Sequence, residues 1–236
     1  TVTIKANVTS WRNINISNTF ITCINLNKSG NAYGLNTSDD IVDPHMMKNI
    51  EWGAVAYLSQ NSKYGKGTEV ENNENSSYIT ADGDYKINRN QSTTGNVWGI
   101  YDLVGGAYER VAAYVNNGHN NITIYGKELI DADARYKDVY QASGTDGISD
   151  TQAENYDLST PQNGKYGDAI YETSNNYSGN NSWNTNRSYF PNLSYTFFTR
   201  GCFYGIITSA TGLFYSGGDK GTNKEEHSFR IVLPVM

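Results

Sequence analysis

The apolar runs of this chain never exceed a few residues, and clusters of Asn, Gly, Ser and Asp stand between them. That spacing limits the fold most. It leaves room for short strands and few helices joined by many turns, because those four residue types supply turn geometry. No run approaches the roughly 20 apolar residues that a membrane-crossing helix needs, so no membrane insertion is expected. With 236 residues the chain can still bury the core of one large domain or two small ones. Its hydrophobic share of 37% is low, but 19 Tyr, 7 Phe and 4 Trp bring much apolar area per residue. The same rings separate it from disordered chains, which lack them.

Charge narrows the partners. The balance of 18 Lys and Arg against 24 Asp and Glu, with no basic run of five, argues against nucleic acid. No charged and apolar leader opens the chain, which starts at Thr1, so a processed chain or a fragment is expected. Cys23 and Cys202 are too far apart for a redox motif and too few for structural zinc. They read either as one disulfide or as two packed thiols.

Two segments read as helices. Asp43-Pro44 offers a cap and a first-turn proline to a helix running from His45 to Gln60, interrupted by Gly53. Residues 102–115 carry Leu103, Val104, Ala107, Val111 and Ala112 near helical spacing, weakened by Gly105 and Gly106. Strand signals are short: 122–125, 195–198, 212–215 and 229–232. Residues 60–96 and 141–192 are long polar stretches, a length that in compact domains marks functional loops. The expected class is α+β, loop-dominated, one domain over 1–236.

Four strings then carry a family resemblance. They are His45 to Leu58, Thr94 to Glu109, Phe198-Thr-Arg-Gly201, and Ser228-Phe-Arg-Ile-Val-Leu233. Together, in this order, they resemble the formylglycine-generating-enzyme-like (sulfatase-modifying-factor-like) branch of the C-type-lectin fold, in members from phages, prophages and gut Firmicutes. The resemblance implies two helices, small antiparallel sheets and large loops. It also implies an N-terminal strand that nothing in residues 1–44 matches, so that strand is expected to be missing or supplied by another chain.

The chemistry of the resembling enzymes does not carry over. Their cysteine pair would fall near Ile206 and Thr211, and Cys202 sits where the family has its second Gly. The three histidines, His45, His119 and His227, lack metal-ligand spacing. His45 is expected beside a helix, and His119 and His227 in solvent. Asp131, Asp133 and Asp138 read as a solvated face rather than a glycosidase pair. No enzyme activity is expected. No cofactor is assigned; calcium stays open, with Glu109 as the metal candidate that the resemblance implies, and Asp82, Asp84, Asp146 and Asp150 as other oxygen-rich turns.

A scaffold without chemistry can bind through its loops. The ligand-binding candidates are Phe203, Tyr204, Ile206, Ile207, Thr208, Tyr215, Asp219 and Asn223, a ring-rich and polar set of the kind that serves adaptable recognition. Phe214 reads as core. Residues 203–211 also resemble a region diversified by a phage retroelement. The expected role is a non-catalytic surface-displayed module, on a virion, a cell surface or outside the cell, that recognises a host or cell-surface protein or a glycan. The alternative is a structural subunit, a homo-oligomer, fibre or filament completed by strand exchange.

Overall fold

The computed structural model describes residues 5–33, 42–80, 85–142, 167–173, 182–206 and 210–234. In chain order the elements are α1 (Ile16–Asn25), β1 (His45–Met46), α2 (Asn49–Gln60), β2 (Tyr108–Asn116), α3 (Asn120–Asp131), β3 (Asp138–Gln141), β4 (Phe197–Gly201), β5 (Gly212–Asp219), β6 (His227–Phe229) and β7 (Ile231–Val232). The fold is α+β. A five-stranded mixed sheet follows the path β3-β2-β4-β5, with β6 also on β2, and β1 pairs antiparallel with β7 in a second, two-stranded sheet.

β2 is the organising element. Seven of its nine residues in succession are buried. Val111, Ala113 and Val115 point into one core with Trp52, Leu103, Phe198 and Phe214. Ala112 and Tyr114 point into a second core with Ile16, Phe20, Met46, Leu129 and Phe197. This alternation is the period-2 rule with both faces covered. It corrects the expected helix over 102–115: a strand buried on both sides reads as a continuous apolar run, which a helix can also produce.

α3 occupies the expected strand 122–125, so that expectation is also corrected. Ile122, Gly126 and Leu129 form its buried face, and the His119 ring at its N-cap accepts from Asn121 N–H at 3.1 Å. α1 is not among the helices expected from the sequence. Its Asn15 cap accepts from Asn18 N–H at 2.8 Å, and Ile16, Phe20 and Cys23 form its buried stripe. The described residues therefore hold three helices, not two. The helix expected from His45 starts at Asn49, because His45 and Met46 pair with Val232 and Ile231.

The four strings of the resemblance meet in space. Met47 N–H donates to Arg230 O at 3.0 Å, and Ala112 N–H to Met47 O at 2.8 Å. Glu109 stands in register with Arg200. The Trp52 indole donates to Leu213 O at 2.7 Å. The outer edge of β5 is covered by the segment before β4: Tyr189 N–H donates to Ser216 O at 2.9 Å, and Ser216 N–H to Ser188 Oγ at 2.8 Å.

Candidate functional site

A glycine turn enters β2 and brings loop 72–80 against it. Gly105 has φ 84°, and a Cβ there would lie 2.1 Å from Asn72 Oδ1 and 2.3 Å from Asn73 O. Only glycine fits such an approach. Asn73 locks the loop: its side-chain NH2 donates to Ile79 O and to Asp102 Oδ1, both at 3.0 Å, and its own N–H donates to Val104 O at 2.8 Å. Residues 5–10 then lie along 78–80, with Asn7 N–H to Thr80 O at 2.9 Å and Ser10 N–H to Tyr78 O at 3.1 Å.

Between these parts opens a cleft of about 280 Å³. Trp11, 52% exposed, stands beside Phe229 with ring centres 5.5 Å apart and forms one wall. Glu109 and Arg230 lie at its base. Arg230 Nε donates to Glu109 Oε2 at 2.9 Å and Nη2 to Oε1, a two-pronged pair. Nη2 also donates to Tyr101 O at 3.0 Å and Asp102 O at 3.3 Å.

A ladder of rings adjoins the cleft. The Arg12 guanidinium sits 4.3 Å from the centre of Tyr78. Tyr78 lies 5.0 Å from Tyr204, Tyr204 5.7 Å from Phe203, and Phe203 5.3 Å from Tyr108. Tyr108 in turn lies 5.9 Å from Tyr215 and 5.3 Å from His227. Below them Asp219 accepts from Arg110 Nε at 2.8 Å, and His227 Nδ1 lies 3.3 Å from its other oxygen. Arg110 also donates to Ile14 O and Thr222 O. Burial acts to raise the Asp219 carboxyl, but the charges of Arg110 and His227 outweigh it and hold it down at about 2.

The structure thus sorts the expected site residues. Phe203 and Tyr204 are half-buried on the rim, and Ile206 is half-buried in the same turn, its N–H donating to Phe203 O at 3.1 Å. Asn223 is exposed. Ile207 and Thr208 lie outside the described residues, as do Asp82, Asp84, Asp146 and Asp150. Tyr215 and Asp219 are corrected: they are 3% and 1% exposed, because β5 is covered on both faces, and they support the rim from beneath. His227 is likewise buried rather than solvated. Trp11, Arg12, Tyr78, Phe229 and Arg230 are site residues that sequence reasoning missed. An aromatic-basic pair, Trp11-Arg12, inside a polar stretch was the one available signal.

Glu109 is engaged by an arginine. It is 6% exposed and both its oxygens accept from Arg230, so a metal there would have to displace a guanidinium. Cys23 and Cys202 are both buried and unbonded to each other. Burial pushes each thiol up to about 12. Neither is therefore a thiolate nucleophile near neutral pH. We expect the native protein to be inert to an aromatic disulfide thiol reagent, with both thiols reacting once denaturant is added; fast labelling of either thiol in the native state would contradict the burial.

No protein-family model matches this chain, and a search of curated proteins finds no match.

Proposed function

We propose that this protein is a non-catalytic recognition module, displayed on a virion, a cell surface or outside the cell, on a C-type-lectin-like frame of the formylglycine-generating-enzyme-like branch. Its ligand is a host or cell-surface protein or a glycan, held by the Trp11–Phe229 cleft and the Tyr78–Tyr204 rim. The observation that carries this reading is backbone strain. Ser77 and Tyr78 are successive non-glycine residues at φ 76° and 57°. Each such residue costs on the order of 1 kcal/mol or more and persists where the surroundings enforce it, often at ligand sites. Here that conformation accompanies the placement of Tyr78 under Arg12 and against Tyr204, at the surface.

The frame has two supports. The four strings of the resemblance pack on one another, and Cys202, which stands at a family Gly position, adopts φ 110°, a conformation that favours glycine. The absence of thiol chemistry is supported by the burial of Cys23 and Cys202, which pushes both thiols up. Rim positions 203, 204 and 206 lie outside the two cores, so a retroelement-diversified segment there could vary without unpacking them. The alternative, a subunit completed by strand exchange, needs an open sheet edge; the β5 edge is covered by Ser188 and Tyr189, and β3 ends the sheet on the other side.

The test is binding to a glycan array and to whole host cells, with Trp11→Ala and Tyr204→Ala beside the wild type. We expect each variant to lose at least about tenfold in binding, with stability lowered by no more than about 1 kcal/mol. Wild-type binding that neither substitution weakens would sink the proposed site. Regular polymers in negative stain, with no array or cell binding, would favour the structural subunit.

A further inference from the structure

His45 is 6% exposed and presents both ring nitrogens to oxygen acceptors. Nδ1 lies 2.7 Å from Asp43 O, and Nε2 lies 2.7 Å from Glu51 Oε1. A neutral imidazole has one N–H and can meet only one of them. With Nδ1 as its donor, the bare Nε2 would set a lone pair against a carboxylate. Glu51 is placed to be ionised: its other oxygen accepts Lys48 N–H at 2.8 Å, and the Lys48 ammonium lies 3.7 Å from Oε1. The double contact therefore calls for an imidazolium. Burial acts to lower the ring's proton affinity, but the bonds to Glu51 and Asp43 and the Glu51 charge outweigh it and hold the ring above its ordinary 6.5. Burial likewise acts to raise the Glu51 carboxyl, and the bonds from His45 and Lys48 hold it below its ordinary value.

The other groups around the ring leave this contact in place. The Tyr136 ring centre lies 5.8 Å away, and its hydroxyl donates to Asp43 Oδ1 at 2.6 Å, with Arg135 Nη2 3.9 Å from the same oxygen. α1 also packs on β1 and carries no charged residue, and its buried Cys23 stays a neutral thiol. β7 brings only Ile231 and Val232. What the ring secures is a thin joint. β1 and β7 pair over two residues each, His45 with Val232 and Met46 with Ile231. The flanking bonds run from Asp43 N–H to Pro234 O at 3.3 Å and from Met47 N–H to Arg230 O at 3.0 Å. A two-stranded pairing is marginal by itself. The imidazolium adds a charged cross-tie from segment 43–46 to the first turn of α2.

We propose that His45 is a pH-released latch on the C-terminal strand: as imidazolium it clamps residues 43–46, and β7 through them, to the start of α2, and as neutral imidazole it releases them. The ring binds its proton more tightly in the folded chain than in the open one. The latch is therefore fully formed below the ordinary 6.5 and is lost as the pH rises through the folded ring's higher value. It is independent of what the cleft binds. Imidazole ¹⁵N NMR over about pH 5 to 9 reads the protons on each ring nitrogen. Hydrogen exchange at the Asp43 and Met47 amides, corrected for its intrinsic pH dependence, reads opening. The expected result is two protonated nitrogens near neutral pH, and exchange that rises about tenfold or more with the ring's own midpoint. Glu51→Gln should bring that midpoint down to 6.5 or below, and His45→Gln should exchange at the open rate throughout. A singly protonated ring near neutral pH, or a midpoint unmoved in Glu51→Gln, overturns the charged latch. A ring that titrates with no step in exchange, or a step that survives in His45→Gln, overturns the release. Should His45→Gln fail to fold, Glu51→Gln decides alone, because it leaves the ring in place.

Discussion

Replacing Asp219 with Ala is expected to lower the unfolding free energy by about 3–5 kcal/mol, the cost of leaving a buried charge without its counter-ion. The stranded group is Arg110, 1% exposed, whose Nε now donates to Asp219 at 2.8 Å. Its two other nitrogens remain on Ile14 O and Thr222 O, which tie the N-terminal segment and the 220–226 loop to β2. The loss should therefore spread to the ring ladder above it. Urea unfolding measures it, and a change below about 1 kcal/mol would show that Asp219 is not the partner of Arg110. A paired replacement, Arg110→Met with Asp219→Leu, should recover only part of the loss: an apolar pair carries no charge desolvation penalty, but Ile14 O and Thr222 O lose their donor.

The same pair gives a pH signature. The folded carboxyl is held at about 2, below its ordinary 3.8. Its contribution is fully present above pH 3.8 and is lost as the pH falls through 2, and it is worth on the order of 2 kcal/mol. The alanine variant should lack this part of the acid dependence. If wild type and variant lose stability in parallel between pH 4 and 2, the assignment fails.

The second large effect runs against helix propensity. Gly53→Ala in α2 would add about 1 kcal/mol at an exposed helix position. Here a Cβ would lie 1.9 Å from Gly167 O and 2.7 Å from the Cα and carbonyl carbon of Asp168. Backbone cannot yield as a flexible side chain can. The helix would have to move, taking with it Trp52 and its 2.7 Å bond to Leu213 O. We expect a loss of about 3 kcal/mol, measured as a lowered urea midpoint. Ala54→Gly on the exposed face should cost only about 1 kcal/mol. A Gly53→Ala variant as stable as wild type would show that α2 does not pack on residues 167–168.

The glycines that counted against helices have different meanings in the fold. Gly53 lies inside a helix and marks where another backbone crosses it. Gly105 and Gly106 lie before a strand, at φ 84° and 65°, and let loop 72–80 reach the cleft. The residue type is the same, and its neighbours in space separate the two cases. α2 was legible as a helix but not by its face: Asn49, Trp52, Gly53, Ala56 and Ser59 are buried, whereas the apolar Ile50, Ala54 and Leu58 are exposed opposite them. β5 and the strands near the C-terminus were legible as short ring-rich runs bounded by turns. β2 was not, because burial on both sides removes alternation. α1 was not, because Ile, Thr and Asn are poor helix formers and packing on α3 overrides their propensity.

Of the site, Phe203, Tyr204, Ile206 and Asn223 were legible as surface residues because they lie in turns. Tyr215 and Asp219 carry the same residue types but stand on a covered strand. Trp11, Arg12 and Tyr78 lie more than 100 residues from the C-terminal loops, so no local pattern could join them to Tyr204. By itself, the order of residues determined the short elements, the wealth of rings and the lack of a thiol pair near 206 and 211, since these are properties of composition and local spacing. Only the tertiary structure decided which rings face solvent and which carboxylates meet arginines, because burial and ion pairing depend on what arrives from distant segments.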